Sequence, residues 1–294
     1  MILLQSAVDD HRADALEAFC CEELSPWWLV RPNPTDPLHL QGAFDDRESA
    51  RAAWEELRST FPELPADPDR LEEQPDEDWM LAYRHHLHPW QSGPLRWIPE
   101  WERAEHFIQP YQRVVYLDSG LAFGTGSHET TRLCARSLVR FARERGDRPF
   151  SVVDAGCGSG ILALSAAVLG ARPVRGFDSD PEAVRVSREN AAANGREGDI
   201  VWLEAGMEEG LAGPAADLVL ANIQADVLRI YADELLRAVA PGGRLVLSGI
   251  LAEEAPALRE FYAARAGTAG FAPATPRLLA DGAWAALALD RPPS

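Results

Sequence analysis

From residue 150 onward the sequence alternates short apolar runs with stretches long enough for a helix. SVVDAG, PVRGFD, IVWLEA, ADLVLANI and GRLVLSGI are separated from one another by at least 10 residues. Strands that pair in parallel need crossovers of about that length or more, and strands covered by helices on both faces read as near-continuous apolar runs. The pattern therefore predicts an α/β, Rossmann-like, doubly wound sheet over residues 105–294. In such sheets the ligand-binding loops lie at the carboxyl ends of the strands.

Two glycine-rich segments fall in this region, GLAFGTGSHETT at 120–131 and DAGCGSGIL at 154–162. The second joins an apolar strand to an alanine-rich helix through Gly156, Gly158 and Gly160. Glycines let a backbone approach a ligand closely, and a helix N-terminus offers N–H donors to a carboxylate or phosphate. Asp178 closes the next strand, 22 residues beyond Gly156, where a carboxylate can accept both hydroxyls of a ribose. An acid here serves NAD and S-adenosylmethionine equally. Two details favour S-adenosylmethionine. The loop is G-x-G-x-G and lacks the third-glycine spacing that accompanies pyrophosphate, and Asp154 places negative charge where a sulfonium and an α-ammonium are tolerated and a pyrophosphate is not. At the end of the strand ADLVLAN, Asn222 can position an amine beside that pocket, its amide oxygen accepting an N–H; a capping role is the other reading.

The N-terminal third has a different organisation. MILLQSAV, WWLV and LHLQGAF read as strands, HRADALEAFCCEEL and DRESARAAWEELRSTF as helices, the second capped at Asp45 or Asp46, with a further strand near DRLEEQ. That order suggests a small ferredoxin-like α+β domain over residues 1–72. Residues 73–104, with a short helix and a Pro/Trp-rich extended stretch, read as a connector whose Trp79, Trp90, Trp97 and Trp101 serve as hinge packing.

Of the formal charge of −18, most lies in this first third, where residues 1–90 hold 20 acids and 7 arginines. Phosphate backbones are repelled there and a basic protein partner is attracted, so direct nucleic-acid binding is not expected. All 28 basic residues are arginine. Cys20, Cys21, Cys134 and Cys157 have no CxxC spacing, which fits buried thiols in a reducing cytoplasm better than zinc or disulfides. No apolar run reaches the roughly 18 residues of a membrane span, and a cytoplasmic monomer is expected.

Taken together, LDSGLAFGTGSHETT, VVDAGCGSGILALSAAVLGA, GFDSDPEAV, ANIQADVL with APGGRLVLSGIL, and GAWAALALD resemble the ribosomal protein L11 methyltransferase (PrmA) family. The resemblance spans residues 76–290 and includes the connector's EDW and WIPEWE. It implies a seven-stranded class I methyltransferase sheet, S-adenosyl-L-methionine as cofactor, and methyl transfer to lysine side-chain and N-terminal amines of ribosomal protein L11. The N-terminal domain would recognise the substrate. The family's cofactor contacts fall on Thr131, Gly156, Asp178 and Asn222. The first glycine segment would then be a lid, with Phe123 and Gly124 closing on the cofactor and Thr131 holding its amino-acid end; Asp154, Gly158 and Gly160 complete the set. Ser119 and Glu129 stand where the family commonly has Pro, and Gln224 where it has Leu. Other readings are a different basic protein substrate, or a cofactor-retaining binding module without turnover. A lysine amine has a reference pKa of about 10.4, and desolvation beside a sulfonium lowers it, so no strong general base is required. His128 reads as a loop-fixing residue, Asp226 as solvated, and His85 and His88 as a surface pair with no metal.

Overall fold

The computed structural model describes residues 2–12, 16, 19–20, 26–31, 36–73, 88–118, 128–267, 269–271 and 276–293. The chain divides into two compact units, Met1–Ala82 and Tyr83–Ser294.

In the first unit, β1 (Ile2–Val8), β2 (Trp27–Val30), β3 (Leu38–Phe44) and β4 (Arg70–Glu73) form an antiparallel sheet in the order β2-β3-β1-β4. That is the strand order of the expected ferredoxin-like unit. The helix α1 (Arg47–Thr60) starts at Asp46, whose carboxylate accepts from the backbone N–H of Glu48 at 2.9 Å and of Ser49 at 2.8 Å. Of the two N-cap candidates, the cap is therefore Asp46. Ala50, Trp54 and Leu57 recur at helical spacing and pack with Leu4, Leu40 and Trp27 into one core. Most of the expected first helix lies outside the described residues, although the helical Leu16 is buried in the same core.

In the second unit, the extended part of the stretch read as connector holds β5 (Trp90–Ser92) and β6 (Leu95–Pro99), which form a small sheet with β7 (Arg113–Leu117). Trp90 and Trp97 stack at 3.7 Å, and Trp97 Nε1 donates to the buried Ser165 Oγ at 2.9 Å. The indoles thus anchor this sheet to the helix after the GCGSG loop, an attachment not visible in the local composition. Trp79 and His85 lie outside the described residues.

The main sheet has seven strands: β8 (Val152–Ala155), β9 (Val174–Asp178), β10 (Ile200–Glu204), β11 (Ala216–Asn222), β12 (Val239–Leu251), β13 (Arg277–Asp281) and β14 (Trp284–Asp290). Their order is β10-β9-β8-β11-β12-β14-β13. The first five are parallel, and β14 runs antiparallel to both neighbours. Helices α2 (Glu129–Arg145), α3 (Ile161–Val168) and α4 (Pro181–Ala193) contribute to the core on one face. The opposite face is covered by α5 (Met207–Leu211), α6 (Ala225–Ile230), α7 (Ala232–Arg237) and α8 (Ala255–Ala266). This is the doubly wound architecture expected from the alternation. Strand order reverses between β8 and β11, which opens a crevice at their carboxyl ends. No described helix is long and apolar enough to cross a membrane.

Candidate cofactor and amine site

The crevice is floored by the GCGSG turn. Gly156, Gly158 and Gly160 have φ of +70°, +53° and +78°, a region that side chains with a Cβ rarely enter. Gly156 is also a close approach: a Cβ there would lie 2.4 Å from Ile223 Cγ2, directly after Asn222. At Gly160 the neighbours are Trp202 and Ser187, so this glycine serves packing.

The loop amides do not behave as the sequence suggested. Gly156 and Cys157 N–H donate to Phe177 O, Gly160 N–H to Cys157 O and Gly158 N–H to Asp178 Oδ2 at 2.9 Å. Four of the turn's backbone donors are thus consumed inside the protein. The loop is prebuilt, and its acidic surroundings suit a cation.

Asp178 accepts one hydrogen bond on each oxygen, from Gly158 N–H and from Asp180 N–H at 3.1 Å. A carboxylate has about four acceptor positions, so both oxygens retain capacity for a ribose diol. Asn190, which sequence reasoning missed, ties this region together. Its Oδ1 accepts from Asp118 N–H at 3.0 Å and its Nδ2 donates to Ser159 O at 2.9 Å. Ser187 Oγ, one turn earlier on the same helix, donates to Gly158 O at 2.8 Å. The only sequence signal was two small polar residues one turn apart on a helix that otherwise buries alanine and valine.

Thr131 and Asn222, 91 residues apart, meet: Asn222 Nδ2 donates to Thr131 Oγ1 at 3.3 Å. Thr131 is fully buried in the first turn of α2, and Asn222 ends β11. The helix after Asn222 is capped at Gln224, so Asn222 is not its N-cap. Its Oδ1 is buried without a partner. Such an acceptor costs about 1–3 kcal/mol unless something donates to it.

Asp154 departs furthest from expectation. It was read as a negative charge beside the ligand, yet it is 1% exposed. Oδ2 accepts from Ala163 N–H at 2.9 Å, and Oδ1 has no partner. Burial pushes its pKa up to about 8, with the nearby Asp178 charge acting in the same direction. Burial of this kind favours the neutral form of a carboxyl group.

His128 is the N-cap of α2, its Nδ1 accepting from Thr130 N–H at 3.3 Å, and its ring meets Trp284 edge-on at 4.9 Å. Burial lowers its pKa, in keeping with a neutral, loop-fixing imidazole. Asp226 is exposed, and no metal-binding cluster occurs among the described residues. Phe123 and Gly124 lie outside the described residues, as does Ser119.

The family model described as ribosomal protein L11 methyltransferase (PrmA) matches residues 25–291. The chain belongs to this family. Among curated relatives, the ribosomal protein L11 methyltransferase of Vibrio cholerae is 43% identical over 195 residues, covering 66% of this chain and 63% of that protein. The protein of the same name from Hydrogenovibrio crunogenus is 36% identical over 233 residues, covering 78% of this chain and 75% of its own length. The aligned part thus spans just under two thirds of the Vibrio relative. Among solved structures, a ribosomal protein L11 methylase from Lactobacillus delbrueckii subsp. bulgaricus aligns with a TM-score of 0.59 at 30% identity, over 70% of this chain and 99% of that one.

The cofactor of this family is S-adenosyl-L-methionine, and the residues present fit it. Asp154 Oδ1 and Asn222 Oδ1 are buried oxygens without partners on the same face of adjacent strands, with Asp154 in register with Leu220, two residues before Asn222. Donors and cations are what such a pair lacks. Asp178 retains capacity for a diol.

Proposed function

We propose that this chain transfers methyl groups from S-adenosyl-L-methionine to amines of ribosomal protein L11, both lysine side chains and the N-terminal amine. It does so as a cytoplasmic monomer without direct nucleic-acid binding. Residues 1–72 recognise the substrate, residues 73–104 connect, and residues 105–294 bind cofactor and carry out transfer. Phe123, Gly124, Thr131, Asp154, Gly156, Gly158, Gly160, Asp178 and Asn222 are the cofactor contacts. The observation that carries the reading is the Thr131–Asn222 pair at the switch point, which leaves one amide oxygen unsatisfied beside the glycine loop.

When bound, the cofactor supplies an electrophilic methyl on a sulfonium. Asn222, held through Nδ2 by Thr131, presents Oδ1 to an amine N–H and so turns the nitrogen lone pair toward the methyl. The amine must arrive neutral. His128 is committed to capping, and Asp154 is buried near the end of β8, so these residues supply orientation and desolvation rather than strong base catalysis. The acidic N-terminal third would steer a basic substrate.

The test is transfer from methyl-labelled cofactor into purified L11 and into a lysate, with mass spectrometry of the labelled proteins. Labelled L11 amines are expected. Label appearing solely in other proteins, or in none at saturating cofactor, defeats the reading. Asn222→Ala should lower kcat by roughly 10–100-fold, the equivalent of one hydrogen bond of about 1.5–3 kcal/mol to the nitrogen as it gains charge in the transition state, while cofactor affinity changes less.

A further inference from the structure

Asp154 is a carboxyl group whose charge has no counter-ion. It is 1% exposed with a single hydrogen bond, to Ala163 N–H, and a bare Oδ1. The titratable groups acting on or near it are Asp178 from the end of β9, Cys134 from α2 and Cys157 from the loop. Burial holds both thiols neutral, and Asp178 is of like sign. The chain has no lysine, and SGLAFGTGS at 119–127 carries no charged side chain. A buried carboxylate so placed favours its neutral form. On the adjacent strand, two residues beyond its register partner Leu220, Asn222 Oδ1 is also buried without a partner.

We propose that Asp154 is a proton-exchanging counter-ion: it is protonated in the cofactor-free protein and releases that proton to solvent when the cationic cofactor binds, leaving a carboxylate paired with the ligand. This rests on the cofactor reading above. The O–H bond at Oδ1 breaks, its electron pair stays on the carboxylate, and the proton goes to buffer; no other bond changes. The raised pKa of about 8 places the free protein in its protonated state at neutral pH. Cofactor affinity is then tied to pH, tightening as pH rises toward about 8 and weakening up to about tenfold for each unit below it. A binding site with a permanent carboxylate would show no such dependence.

The experiment is titration calorimetry of S-adenosylmethionine into the full chain at pH 7, in buffers of different ionisation enthalpy. The cofactor's own α-amine titrates at about 7.7–8.0, so Asp154→Asn supplies the baseline. Wild type should release close to one proton more than the variant, roughly 0.9 for a group of pKa about 8. Equal proton release by the two proteins overturns the proposal. S-adenosylhomocysteine, which keeps the ammonium and loses the sulfonium charge, is the second probe. Release with both ligands places the carboxylate against the ammonium, and release with S-adenosylmethionine alone places it against the sulfonium. If Asp154→Asn does not bind, the wild-type Kd between pH 6 and 7 decides: about a tenfold tightening supports the proposal and an unchanged Kd overturns it. Absence of wild-type binding to either ligand defeats the cofactor reading itself, a different outcome from binding without proton release.

Discussion

Gly156→Ala, compared with Gly195→Ala, separates two reasons for a glycine. Both positions have positive φ, +70° and +63°, so an alanine pays a backbone cost of roughly 1–2 kcal/mol at either. Around Gly195 nothing lies within 4 Å of the added Cβ, whereas at Gly156 it would lie 2.4 Å from Ile223 Cγ2. Normal contact requires a shift of more than about 1 Å, and overpacking of this kind costs roughly a further 1–3 kcal/mol. For a unit of this size 1 kcal/mol corresponds to about 2–4 °C in Tm. Gly195→Ala should therefore lose roughly 2–8 °C and leave cofactor affinity unchanged. Gly156→Ala should lose about 4–20 °C. Because Ile223 adjoins Asn222, its displacement should also weaken cofactor binding at least about tenfold, as a misplaced site residue does. Melting curves and calorimetric Kd values measure both effects. Equal Tm losses with intact cofactor affinity in Gly156→Ala would refute the claim that this glycine is fixed by close approach.

Asp178→Ala should abolish measurable cofactor binding while the far-UV spectrum stays native; wild-type affinity in calorimetry would remove Asp178 from the site. The contribution of Asp154 to the stability of the cofactor-free protein should decline as pH rises from about 4 to 8. Asp154 has an ordinary value of 3.8 and a folded value of about 8, so the folded state keeps a proton that the unfolded chain gives up. Its contribution is full below about pH 4 and gone above about pH 8. Tm profiles of wild type and Asp154→Asn should diverge over that range, and parallel profiles would contradict the assignment. His128 acts with the opposite slope. Its folded pKa is depressed, so stability falls as pH drops below the ordinary histidine value of 6.5, and His128→Asn, which retains a capping side chain, should lessen that fall.

The sequence by itself determined the architecture of the second unit, and with it the crevice at the carboxyl ends of the strands. Apolar runs spaced by helix-length segments admit little besides a parallel sheet, because backbone groups in buried strands must be paired and parallel pairing demands crossovers. Asp178 and Asn222 could be placed at strand ends for the same reason: strand boundaries are written locally, in the switch from β-branched and apolar residues to polar ones. Asp46 as a helix cap is legible in the same way. Hydrogen bonds and burial between distant segments are not. Only the tertiary structure decided that Thr131 meets Asn222 across 91 residues, that Trp97 reaches Ser165, and that Asn190 and Ser187 brace the glycine loop. It also changed the chemistry read for two features of the glycine-loop region. The loop amides are already satisfied by Phe177, Cys157 and Asp178. Burial raises the pKa of Asp154, because the balance between its charged and neutral forms depends on what surrounds it in three dimensions, and its sequence neighbours say only that it is an aspartate.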